Sequence, residues 1–90
     1  MTHLEGKGQL LRRKVSFGPC KYSLPESVKQ TAGRGIVTLL KPEFLPPPEC
    51  PKGYVLELDD GTTLECELWE DLGQTVGGSI HSYAVRCWRE

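Results

Sequence analysis

Apolar and charged residues alternate with a period of two on both sides of Asp60-Gly61, through Tyr-Val-Leu-Glu-Leu-Asp-Asp-Gly-Thr-Thr-Leu-Glu-Cys-Glu-Leu-Trp-Glu from Tyr54 to Glu70. Such alternation marks strands with one buried and one wet face, and the stretch predicts a β-hairpin. Because side chains repeat every second residue, loop length decides which residues share a face. A two-residue loop at Asp60-Gly61 would set Leu58 against Thr63 and Leu56 against Glu65, mixing carboxylates into the apolar face. A three-residue loop of Asp59, Asp60 and Gly61 sets Leu56 against Leu64 and Tyr54 against Cys66. The second register is expected, with Gly61 as the left-handed residue that closes the turn. Leu56, Leu58, Leu64, Cys66 and Leu68 then face one interior.

The same rhythm runs through the rest of the chain. Leu4 to Leu11 reads as a first strand with Leu4, Gly6, Gly8 and Leu10 inward. Its glycines suit sharp curvature or close approach of another backbone. Arg12, Arg13 and Lys14 form the turn into Val15 to Leu24, where the parity of Val15 and Phe17 differs from that of Cys20, Tyr22 and Leu24. A β-bulge at Gly18-Pro19 would bring all five onto one face. Pro25 to Gly33 is a polar connector with room for one helical turn, Gly33 following its end. Arg34 to Leu40 is a third strand whose nearly continuous apolar run suggests a central position. Lys41 to Lys52 carries five prolines, which remove the donors and dihedral freedom a strand needs, and reads as a long extended loop. Asp71 to Ser79 is a second, glycine-bearing loop. Ile80 to Trp88 is the last strand, with His81, Tyr83, Val85 and Cys87 inward and Ile80 and Trp88 outward.

These elements predict a single all-β domain over residues 1–90, a small antiparallel barrel or sandwich of about six strands whose edges are closed or protected. Ten glycines and seven prolines in ninety residues agree with many turns and no long helix. A chain this short buries only about 60 to 65% of its unfolded surface, so stability rests on a thin margin.

Charge adds an asymmetry that the net value of -1 conceals. Residues 1–41 hold eight Lys or Arg against two acids, and residues 42–90 hold three against ten. Either basic and acidic strands neighbour one another and pair across the sheet, which is the expected arrangement, or the molecule has one basic and one acidic side. No apolar run is long enough for a membrane span and no charged-then-apolar leader is present, which points to a cytoplasmic protein. The four cysteines form no Cys-x-x-Cys pair. Cys20, Cys66 and Cys87 fall on inward positions, as reduced cysteines used as small core residues do.

Candidate chemistry is sparse, and nothing in the chain rises above a small β domain with a few site hints. Arg12, Arg13 and Lys14 are the densest basic cluster and could hold a phosphate or nucleotide, with Lys21 and Arg34 near them. The neutral pI and the lack of an aromatic row on the basic strands weigh against nucleic acid. Pro46-Pro47-Pro48 with Pro51 could present a polyproline segment to a partner, or Phe44 and Leu45 could fold back as a lid over one end of the sheet. Cys50, in the proline loop, is the candidate reactive thiol. No metal set or cofactor is expected, because each cysteine stands alone in sequence. Glu57, Glu65 and Glu67 share the wet face of one hairpin, and His81 and Ser82 point to opposite faces of one strand, so no enzyme is expected.

The Arg pair ahead of a strand is similar to the start of a PilZ domain, a small barrel that binds cyclic dinucleotides. Only Arg12 and Arg13 stand for that family's Arg-x-x-x-Arg, and its Asp/Asn-x-Ser-x-x-Gly has no counterpart. The recurring Asp-Gly and Gly-x-Gly turns resemble those of small bacterial β-domain proteins over most of the chain, a compositional likeness that carries over no site. The expected function is a non-enzymatic binding or accessory module for a protein or small ligand; the alternatives are a phosphate or nucleotide binder and a thiol or metal protein.

Overall fold

The computed structural model describes residues 3–41, 45–47, 49, 51–74 and 80–89, with only the backbone of His3. Six strands form one closed antiparallel barrel: β1 His3–Arg12, β2 Val15–Pro25, β3 Ala32–Leu39, β4 Tyr54–Glu57, β5 Thr63–Gln74 and β6 His81–Trp88. Their order around the barrel is β1-β2-β3-β6-β5-β4, closed by pairing of Gln9–Arg12 with Tyr54–Glu57. Closure, rather than a sandwich, removes every free sheet edge along the paired segments.

The β4–β5 hairpin has the expected register, Tyr54 opposite Cys66 and Leu56 opposite Leu64. Leu58 N–H donates to Thr62 O at 2.8 Å and Gly61 N–H to Leu58 O at 3.1 Å, enclosing a loop of Asp59, Asp60 and Gly61. Gly61 has φ +89°, the left-handed geometry that a Cβ would resist. Leu56, Leu58, Leu64 and Cys66 are buried, and Leu68 packs partly buried against them.

In β1 the inward glycines let other chain approach. A Cβ on Gly8 would overlap the carbonyl oxygen of Glu57, which is how β1 and β4 come close enough to close the barrel. The β1–β2 register slips by one residue between Gln9 and Leu11, so Phe17 and Gly18 together face Leu10. This is the bulge at Gly18, which has φ +89°, and it returns Phe17, Cys20, Tyr22 and Leu24 to the core. Val15 does not follow: at the mouth of the hairpin it is 45% exposed. The turn is also tighter than expected. Arg12 ends β1 opposite Val15, and only Arg13 and Lys14 turn, both at positive φ (+49° and +72°), the geometry that matches strand twist in two-residue hairpins.

The connector holds the short 3-10 turn Glu26–Lys29, whose Val28 is fully buried against the barrel end. Gly33 lies inside β3 rather than after the turn; a Cβ there would meet Pro25 Cγ at 2.5 Å and Val28 Cγ1 at 2.8 Å. β3 pairs with β2 and β6, yet only Val37 and Leu39 are buried, while Ile36 is 45% exposed. Its apolar run therefore has one dry face and one wet one. β6 points His81, Tyr83, Val85 and Cys87 inward as expected.

Two differences matter for function. Asp71–Gln74 is strand, not loop, because β5 runs on through two bulges that the alternation does not foresee. The barrel order also groups the basic strands together and the acidic strands together. Residues 3–39 carry seven Lys or Arg against Glu5 and Glu26, whereas residues 54–88 carry Arg86 against seven acids. Lys7 faces Lys21 and Arg34 faces Arg86, so the expected pairing of opposite charges across the sheet holds at Glu67, opposite Arg86, but not along the basic strands. The barrel has a basic half and an acidic half.

Candidate functional site

A cleft of about 490 Å³ opens where β4 ends too soon. β4 has four residues and β5 twelve, so β5 beyond Cys66 outruns its partner. The proline segment lies alongside instead, tied by Leu68 N–H donating to Pro51 O at 2.8 Å. Proline has no N–H to offer a ladder, so this segment covers β5 without extending the sheet, and a gap remains between them. Leu45, Pro46, Pro47 and Pro51 form one wall, Leu68 to Asp71 the other, and Tyr83 lies between.

The bulges shape the β5 wall. The register with β6 slips between Leu68 and Glu70 and again between Asp71 and Gly73, leaving Trp69 and Leu72 as the added residues. Each is thrown outward, Trp69 to 54% and Leu72 to 47% exposure. Bulges re-aim side chains in this way beside binding sites. Arg34 reaches from β3 and lays its guanidinium 4.2 Å from the Trp69 ring centroid, holding the indole from the basic side. Gly73, at φ +84°, takes the strained corner and donates its N–H to Asp71 Oδ1 at 2.7 Å.

Asp71 anchors the polar end of the cleft. Its Oδ1 also meets Nε2 of the buried His81 at 2.5 Å. The Gly73 N–H holds the Asp71 carboxyl below the ordinary carboxylate range, opposed by desolvation and then assisted by His81. The His81 ring packs on Tyr83 with centroids 4.7 Å apart, and its Nδ1 is buried without a hydrogen-bond partner. Burial first, and then the Asp71 charge, push the Tyr83 hydroxyl up to about 12, so the phenol at the cleft floor stays neutral. An apolar cleft with a few convergent polar groups and shifted titrations is the usual form of a ligand site.

The residues singled out in the sequence are dispersed. Arg12 is held down, its guanidinium 5.8 Å from the Tyr54 ring centroid and its Nε donating to Lys52 O at 3.4 Å. Arg13 and Lys14 stand exposed in the turn. Lys21 lies farther along β2, opposite Lys7 and Thr38, and Arg34 is engaged with Trp69, so these cations form no common cluster. Leu45, 38% exposed, lines the cleft rather than capping the sheet; Phe44 and Cys50 lie outside the described residues. His81 and Ser82 do point apart, Ser82 Oγ lying 3.1 Å from Thr38 Oγ1 on the outer face. Cys66 and Cys87 face each other in the interior with sulfurs 3.3 Å apart. Among the described residues no group of three His, Cys, Asp or Glu is placed to hold a metal ion.

Trp69, Asp71 and Tyr83 escaped sequence reasoning as a site, although two signals were present. Trp69 and Leu72 break the two-fold alternation, and Asp71-Leu72-Gly73 has the Asp-x-Gly form of a side-chain-closed turn. No family model matches the chain, and comparison with curated proteins and with solved structures likewise finds no similar protein, so the reading of this cleft rests on its own residues.

Proposed function

We propose that this barrel is a non-enzymatic binding module whose cleft receives a basic segment of a partner protein, an Arg or Lys flanked by apolar residues. The observation that carries the reading is Trp69, lifted to the surface by a bulge next to Glu70 and Asp71 and facing a wall of prolines. A cation entering there gains two carboxylates beside the indole, whose ring Arg34 already meets at 4.2 Å, while its neighbours meet Leu45, Pro46 and Leu68. The acidic half of the barrel supplies a complementary field. The free thiols of Cys20, Cys66 and Cys87 suit a reducing, cytoplasmic setting.

The test is titration of the protein with a short unstructured peptide carrying Arg beside Leu, followed by the two indole N–H resonances. A saturable shift of Trp69 with Trp88 nearly still is expected, weakened by Glu70→Gln. An acidic peptide of equal length that shifts Trp69 as strongly, or no shift with any peptide, overturns the proposal.

A further inference from the structure

We infer a second site, independent of the cleft: a groove on the outer face of β1, β2 and β3 that binds a phosphate monoester bearing hydroxyl groups, such as a sugar or nucleoside phosphate. The groove encloses about 450 Å³ and lies on the basic half of the barrel. Lys7 and Lys21 occupy directly opposite positions across the β1–β2 ladder, both exposed. Like charges set opposite one another destabilise a sheet, and salt screens them only partly. Neither lysine is relieved by the ion pairs among the described residues, which join Lys29 to Asp60 and His81 to Asp71. An anion seated between them would convert the repulsion into two charge-assisted contacts.

The surroundings say which anion. Thr38 faces Lys21 from β3 and lines the groove, its Oγ1 lying 3.1 Å from Ser82 Oγ on the β6 side. One row along, Glu5 faces Ser23, and Ser23 faces Ile36. Glu5 repels a bare oxyanion but accepts hydrogen bonds from ligand hydroxyls, so its place one row from the lysines favours a molecule with phosphate at one end and a polyol at the other. Ile36, 45% exposed, offers the apolar contact that the carbon skeleton of a sugar or a base would cover. Arg13 and Lys14 lack such surroundings: they stand exposed in the turn, and neither lines this groove.

The experiment is backbone amide NMR of the full chain titrated with ribose 5-phosphate, adenosine 5′-monophosphate and inorganic phosphate at matched ionic strength. Saturable shifts at Lys7, Lys21 and Thr38 are expected, with both esters binding more tightly than inorganic phosphate. Lys21→Gln should weaken ester binding about tenfold. It should also leave the melting temperature unchanged or raised, since it relieves the lysine pair, whereas a merely structural lysine would lower it. Inorganic phosphate binding as tightly as the esters overturns the ligand class. Shifts at Arg13 and Lys14 equal to those at Lys7 and Lys21, or shifts unaffected by Lys21→Gln, overturn the site.

Discussion

The Tyr22 hydroxyl donates to Asp59 Oδ1 at 2.8 Å, joining the middle of β2 to the turn of the β4–β5 hairpin over the bare backbone of Gly6. Asp59 N–H in turn donates to the Tyr22 hydroxyl oxygen at 3.5 Å. The contact crosses the barrel rim between elements 37 residues apart in sequence. It fixes how the hairpin leans on the first two strands. Burial, and then the neighbouring carboxylate, raise the Tyr22 hydroxyl above its ordinary value, so it stays a donor through the neutral range.

Tyr22→Phe is therefore expected to lower stability by about 1 kcal/mol, the usual worth of a side-chain hydrogen bond. Denaturant unfolding checks it. An unchanged midpoint would show that the turn is held by its backbone alone.

Two neighbouring glycines should respond differently to alanine. A Cβ on Gly6 would meet Asp59 Oδ2 at 2.6 Å and Tyr22 Oη at 2.7 Å, both ends of side chains that can rotate away. A Cβ on Gly8 would strike the backbone carbonyl of Glu57, which cannot move without opening the β1–β4 seam. Gly8→Ala should cost about 3 kcal/mol or more and Gly6→Ala less, as overpacking against rigid atoms requires. Thermal melts of the two variants rank them.

Val28 is the one fully buried residue of the 3-10 turn, and it plugs the barrel beside Gly33. Val28→Ala should cost roughly 2 kcal/mol through the cavity it leaves. The same exchange at Val15, which is 45% exposed, should change little. Equal effects at the two sites would contradict the packing described.

Asp60 is held down to about 2 from its ordinary 3.8, first by the Thr62 N–H and then by Lys29. A carboxylate lowered on folding stabilises the protein above its ordinary value, and that contribution fades as pH falls through the folded one. Stability should thus decline between pH 3.8 and about 2, and Asp60→Asn should flatten that part of the profile. Carboxyl carbon shifts of Asp60 and Asp71 should both titrate below an ordinary aspartate.

The interior thiols should be inert in the native state. Burial pushes Cys20 up to about 12, and the hydrogen bond shared with Cys87 together with burial raises Cys66 well above its ordinary value. In a Cys50→Ser background, a disulfide reagent at neutral pH should react only as the barrel unfolds. Prompt reaction of the folded protein would mean that the core is open to solvent.

Much of the barrel could be read along the chain because its strands keep a strict two-fold period. Leu56, Leu64, Cys66, Tyr83 and Cys87 are placed by parity, and the need for left-handed φ at Gly61 and Gly18 points to the turn and the first bulge. The period fails where β5 inserts Trp69 and Leu72, and there the pattern reads Asp71–Gln74 as loop. Strand order is also beyond local pattern: nothing within β3 says that it pairs with β6 rather than with β4, so the gathering of basic strands, and with it the Lys7–Lys21 groove, was not visible. The cleft escaped for the same reason, since it depends on how far β4 runs beside β5.

Unlike charges collected on opposite flanks of a barrel give the whole molecule an electric dipole, whatever its total of -1. Such a body turns in the field of a charged neighbour before the two touch, presenting one flank or the other according to sign. Added electrolyte would then slow the first encounter more than it loosens the finished contact.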